Sequence, residues 1–137
     1  MRFLLFLGLI GLSLACTCHW YTEKKAFCEA NFVGIFNFYN KLLLGENLVY
    51  KANVVRLFKA QNSFPNTTVD FYTASEESAC GLPYLHTGID YLITGVRRDD
   101  VYKMYWCGQV QLSPWKDVTE GVKKALEDGS YEPCDAE

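Results

Sequence analysis

The sequence predicts a mainly β domain with flanking helices, closed as a small five-stranded β-barrel. Three observations predict it. Five segments rich in aromatic and β-branched residues follow one another between residues 32 and 107, the composition that suits a pleated, half-buried surface. Helical patterns occur only before the first segment and after the last, so there is no βαβ alternation to support a parallel sheet. Six cysteines stand at 16, 18, 28, 80, 107 and 134, three near the start and three spread towards the end. That distribution staples the N-terminal segment onto later parts of the fold.

The chain of 137 residues is one domain's worth. It begins with an expected secretory signal peptide over 1–15: Arg2, then an apolar run from Phe3, then small Ser13 and Ala15 before the cut. The run is too short to span a bilayer. A lipoprotein leader is the rival reading, because a cysteine follows the cut, but Ser13 stands where lipidation wants an apolar residue. The remaining domain, 16–137, starts at Cys16. In a secreted chain an even cysteine count reads as disulfides, with fifteen possible pairings for six cysteines. Each bridge closing a long loop is worth about 2–4 kcal/mol.

After Cys16-Thr17-Cys18 and His19-Trp20, Thr22 caps a short helix whose first turn holds Glu23 and which carries Cys28 near its end. The first strand is predicted over 32–39, with Gly34 marking a bulge or a close backbone approach. Gly45-Glu46-Asn47 is a turn, and a second strand runs over 48–59. Pro65 breaks the chain before a third strand over 67–73. Asn66-Thr67-Thr68, at the edge of that loop, is an N-glycosylation acceptor. A connection over 74–90 leads to a fourth strand over 91–96, and Arg98-Asp99-Asp100 turns the chain into a fifth over 101–107. On that strand Tyr102, Met104 and Trp106 share one side. Ser113-Pro114-Trp115 introduces a helical tail, in which Thr119 caps 120–128 and Gly129 stops it.

Composition narrows the chemistry. Once Arg2 is removed, 12 basic residues face 16 acidic ones, a net charge of −4 with no basic stripe. Nucleic acid is therefore not an expected partner, and no membrane association is expected either. Histidine occurs only at 19 and 86, which leaves few players for Ser/His/Asp or Cys/His catalysis. No Cys-x-x-Cys is present, so thiol-disulfide chemistry lacks its usual signature. Glu76-Glu77 and Asp99-Asp100 sit in turn-like stretches as solvated charge. The chain reads as a non-enzyme. Cys16, Cys18 and His19 include zinc-ligand types, but in an oxidising compartment the cysteines pair, and a disulfide sulfur is a poor ligand. What remains is backbone. Cleavage before Cys16 leaves its α-amine beside its own carbonyl, a chelating pair for a metal held by another protein.

The motifs then carry a family resemblance over the whole mature chain. Cys16-x-Cys18, nine residues, then Ala26-Phe27-Cys28 closely resembles the tissue inhibitors of metalloproteinases. Phe71-Tyr72-Thr73-Ala74, Ser78-Ala79-Cys80-Gly81 and Tyr91-Leu92-Ile93-Thr94-Gly95 resemble later segments of that family. Pro114-Trp115, Lys123-Lys124-x-Leu126, Tyr131 and Cys134 resemble the end of its inhibitory domain. The sequence resembles a single-domain, invertebrate-type member. It departs from the family pattern at His19-Trp20, where small residues, Pro or Val generally stand, and in a short loop between the first two strands.

The resemblance implies a netrin-like, OB-type barrel bridged Cys16–Cys80, Cys18–Cys107 and Cys28–Cys134. It implies no cofactor of the chain's own. Instead, the amine and carbonyl of Cys16 chelate the catalytic zinc of a target metalloendopeptidase, a matrix metalloproteinase or a related enzyme, at the position such a zinc keeps open. An α-amine with a pKa of about 8 loses its proton cheaply there. Thr17 enters the pocket just after the scissile bond, Cys18, His19 and Trp20 continue along the cleft, and Ser78, Ala79 and Cys80 fill its other side. The implied location is extracellular, in solution or in the matrix. The other reading, motivated by His19-Trp20 and the missing second domain, is a non-inhibitory netrin-like module that binds matrix or signalling partners through its barrel.

Overall fold

The computed structural model of the protein describes residues 16–19 and 21–134. The expected leader, 1–15, and Trp20 of the expected contact edge lie outside the described residues. Helix α1 (Glu23–Glu29) precedes strands β1 (Phe32–Leu44), β2 (Asn47–Lys59), β3 (Thr68–Ala74), β4 (Asp90–Arg98) and β5 (Val101–Met104). A two-residue strand β6 (Ser113–Pro114) and helix α2 (Glu120–Asp128) follow. β1 pairs with both β2 and β4, β2 pairs with β3, and β5 lies antiparallel to β4 and parallel to β3. Those pairings close β1 to β5 into a ring. The mainly β, OB-like arrangement expected from the sequence is the one observed.

Two-residue alternation explains both sides of the ring. From β1, Phe32, Phe36 and Phe38 enter the interior, where Tyr50, Phe71, Ile93 and Met104 meet them. Phe32 stacks on Phe71 with ring centroids 5.2 Å apart, and Phe36 meets Phe71 edge-on at 4.7 Å; such pairs add about 0.5–1.5 kcal/mol beyond burial. The intervening Val33 and Leu92 face outwards into a second cluster with Ala26 and Phe27 of α1 and Val122 and Leu126 of α2. β1 therefore reads as a continuous apolar run because both of its faces are covered.

Gly34 behaves as expected: the register of β1 against β2 slips between Val33 and Gly34, and a Cβ there would meet the Arg56 carbonyl oxygen at 2.7 Å. Thr22 caps α1, its hydroxyl accepting from the Lys25 amide at 3.1 Å. Asp99 and Asp100 both take positive φ, 53° and 62°, the twist a two-residue hairpin turn demands.

Three expectations need correction. β1 runs on to Leu44, past the predicted end at 39, because its tail pairs with Leu48, Val49 and Tyr50 of β2. β5 stops at Met104, short of the predicted end at 107, so Trp106 lies beyond the strand and off the side it was expected to share with Tyr102 and Met104, and it is 49% exposed. Thr119 precedes α2, but its hydroxyl donates to Gln111 Oε1 at 3.2 Å and caps no amide of the helix. Gly129 does end α2, at φ 74°.

Candidate functional site

The segment 16–19 belongs to no helix or strand, and Thr17, Cys18 and His19 are exposed while Cys16 is half-buried. Without packing, so short a piece would sample many conformations. Two bridges remove that freedom. Cys16 is bonded to Cys80 with Cα atoms 5.1 Å apart, and Cys18 to Cys107 at 5.3 Å. The bridges also touch each other, with Cys16 Sγ 3.5 Å from Cys107 Sγ and Cys107 Sγ 3.9 Å from Cys80 Sγ. A third bond, Cys28–Cys134, ties the end of α1 to the chain beyond α2. These are the pairs the family resemblance implies.

The partner of Cys16 is itself held. Beyond β3 the chain enters a 3-10 turn, Glu77–Ala79. The Ala79 and Gly81 amides donate to the Glu76 carbonyl at 3.1 and 3.2 Å, and the Cys80 amide donates to the Glu77 carbonyl at 3.0 Å. Cys80 adopts φ 61°, a left-handed conformation that costs a non-glycine residue about 1–2 kcal/mol. It persists because the bridge and the Trp106 amide, 2.9 Å from the Cys80 carbonyl, over-determine it. Gly81 makes the turn possible, since a Cβ there would lie 1.9 Å from the Ala74 carbonyl oxygen. Leu82 then enters the core, its amide donating to Thr73 Oγ1 at 3.0 Å and its carbonyl accepting from the buried Tyr50 hydroxyl. Ser78 and Ala79 stay exposed on the outside of this turn.

The structure thus brings together Cys16, Thr17, Cys18 and His19 with Ser78, Ala79 and Cys80 in one doubly bridged edge. Trp106, which the sequence placed within the fifth strand, flanks it: a hollow of about 270 Å³ is lined by Cys18, His19, Tyr21, Trp106, Cys107, Gly108 and Gln109. On the other side, the tip of the β1–β2 hairpin, with Leu43 and Glu46, shares a hollow of about 840 Å³ with Ser75, Glu76, Ser78 and Ala79. Sequence reasoning missed both flanks. The signal was an apolar Leu42-Leu43-Leu44 run whose residues are 40%, 66% and 56% exposed, with no alternation to assign it to a core. Beside this loop Tyr84 is raised above the usual phenol range by partial burial and by the charge of Glu77. Asn66, by contrast, lies at the far end of β3 from Cys80. His86 belongs to a turn before β4, its amide donating to the Tyr91 hydroxyl at 3.1 Å.

The sulfurs of Cys16, Cys18 and Cys107 lie within 4.8 Å of one another, a spacing that would suit a metal if they were thiolates. Each is spent in a bridge, and zinc binding needs thiolate sulfur. The donor set does not fit a resident ion. What the edge offers outwards is backbone and small side chains.

Fold and edge together define an OB-like ring of five strands with the segment 16–19 pinned to it by two disulfides. Comparison with known proteins agrees. A family model described as "Tissue inhibitor of metalloproteinase" matches residues 14–137. The Caenorhabditis elegans protein named "Putative metalloproteinase inhibitor tag-225" is 30% identical over 143 aligned positions, covering 86% of this chain and 89% of the relative. The chain belongs to the tissue inhibitor of metalloproteinase family.

Proposed function

We propose that this protein is a secreted inhibitor of zinc metalloendopeptidases, and that its mature form begins at Cys16. The amine and carbonyl of Cys16 then chelate the target's catalytic zinc in place of the hydrolytic water. Thr17 points into the primed-side pocket, and Cys18, His19 and Trp20 lie along the cleft. Ser78, Ala79 and Cys80 occupy the opposite side. The observation that carries this reading is the pair of touching bridges, which hold Cys16 and the exposed turn 77–79 as one body. Such pre-organisation limits the ordering entropy lost on binding. Family membership supports the general activity. The three bridges suit the oxidising compartments of a secretory route.

The test is a titration of the secreted protein against a panel of active matrix metalloproteinases and related zinc endopeptidases. One-to-one inhibition is expected from the form starting at Cys16, and loss of it when one alanine precedes Cys16 or its amine is acetylated. Unchanged potency after either modification would sink the chelation mechanism while leaving inhibition by some other surface open. N-terminal sequencing of the secreted form checks the cut at Ala15-Cys16 in the same preparation.

A further inference from the structure

We propose that Asn66 carries an N-linked glycan, attached before the barrel closes and displayed at the end of β3 remote from the bridged edge. Asn66-Thr67-Thr68 is the one Asn-x-Ser/Thr triplet in the sequence. All three residues are exposed, in and just after the loop between β2 and β3. The main chain anchors this loop, with the Val54 amide donating to the Thr67 carbonyl at 2.8 Å, and the exposed side chains take no part in that bond. A bulky hydrophilic group on Asn66 therefore displaces nothing from the core.

Chain order supplies the opportunity. Cys16, Cys18 and Cys28 precede Asn66, whereas their partners Cys80, Cys107 and Cys134 all follow it. β4 and β5, which close the ring, also follow. A chain entering a secretory lumen N-terminus first presents Asn66 while no native bridge or ring closure is yet possible. The acceptor is met unfolded. The Asn66 amide nitrogen attacks the anomeric carbon of a lipid-diphosphate oligosaccharide. A C–N bond forms, the C–O bond to the diphosphate breaks, the lipid diphosphate leaves and the amide gives up one proton. No redox partner is needed.

β3 has seven residues, about 23 Å at ~3.3 Å each, and it separates the Asn66 loop from the turn carrying Ser78, Ala79 and Cys80. The glycan stands clear of that edge. The inference rests on the secretory route of the proposed function and not on zinc chelation, so mass and inhibition report separately.

The full chain is produced in a eukaryotic secretory cell, and the medium is digested with peptide N-glycosidase in heavy-oxygen water. Most of the protein is expected to lose the mass of one oligosaccharide and to leave isotope-labelled Asp at position 66. Asn66→Gln and Thr68→Ala should abolish the loss, while Thr68→Ser should keep it. Should a variant remain inside the cell, the same digestion of the lysate reads the same site. Unmodified Asn66 in the secreted wild type would overturn the proposal. Glycosylated and stripped protein should inhibit equally; a difference would overturn the remote placement.

Discussion

At the scale of single residues, the edge depends on two positions with opposite demands. Thr17 is exposed and touches no core, so Thr17→Gly should leave stability within about 0.5 kcal/mol of wild type. Under the proposed mechanism the same change alters the ranking of target proteases, because Thr17 supplies the side chain that enters a pocket. Gly81 has no target to read. Its missing Cβ leaves room for the Ala74 carbonyl, which a methyl group would meet at 1.9 Å. Rigid main chain cannot swing aside as a side-chain tip can, so Gly81→Ala should cost at least the ~1–3 kcal/mol of an overpacked site. It should also displace Ser78, Ala79 and Cys80, and with them Cys16. Denaturant melts with inhibition titrations check the pair: selectivity without destabilisation for Thr17→Gly, and both losses together for Gly81→Ala. Parallel behaviour of the two variants would contradict the division of roles.

At the scale of elements, α1 follows directly after the bridged edge and must stay docked for that edge to keep its place. Its last carbonyls, otherwise orphaned at a helix end, are met by Lys59 from the end of β2. The Lys59 amine donates to the Phe27 carbonyl at 2.8 Å and to the Cys28 carbonyl at 2.9 Å, above the Phe27 ring. Partial burial draws the Lys59 pKa below the usual lysine range, with Glu132 opposing that shift. Lys59→Met keeps the apolar stem and removes both charge-assisted bonds, for an expected loss of about 1–3 kcal/mol. Amide exchange localises the effect: α1 should exchange faster and β3 should not. Equal protection of α1 in variant and wild type would exclude the clamp. Sequence pattern could not have shown Lys59 in this role, since it reads as the polar end of a strand. The same limit explains the other misses. The first part of β1, with Phe32, Phe36 and Phe38, was legible from its aromatic and β-branched composition. The Leu42-Leu43-Leu44 tail was not, because cross-strand backbone pairing decides its state. Trp106 has a strand-former's side chain, but its amide is engaged by the Cys80 carbonyl and the chain must leave the sheet to bring Cys107 to Cys18. The residues of the candidate edge came from the family resemblance that the cysteine spacing and the Ser78-Ala79-Cys80-Gly81 motif carry, whereas its flanks required the fold.

At the scale of the whole molecule, core and edge are joined through Tyr50. Its ring is fully buried against Phe38, centroids 5.1 Å apart, and its hydroxyl donates to the Leu82 carbonyl, two residues beyond Cys80. Burial pushes the phenol from 10.0 up to about 12. A folded-state pKa above the unfolded one means that the folded protein holds its proton longer. The stabilisation is fully present below pH 10 and is lost as pH rises through 12. A shift of that size corresponds to about 2–3 kcal/mol. Tyr84 and Tyr131 are also raised by burial, so the wild-type alkaline slope is not Tyr50's alone. Tyr50→Phe isolates it. At pH 8 the variant should be less stable by about 1 kcal/mol, because the Leu82 carbonyl loses its donor. Between pH 10 and 12 its stability should fall less steeply than wild type, so that the two curves converge and then cross. Urea unfolding across this range measures both, and curves that stay parallel would show that Tyr50 is not the titrating anchor. Because its partner carbonyl lies just past Cys80, wild-type inhibition of an alkali-tolerant target should weaken over the same window as the stability does.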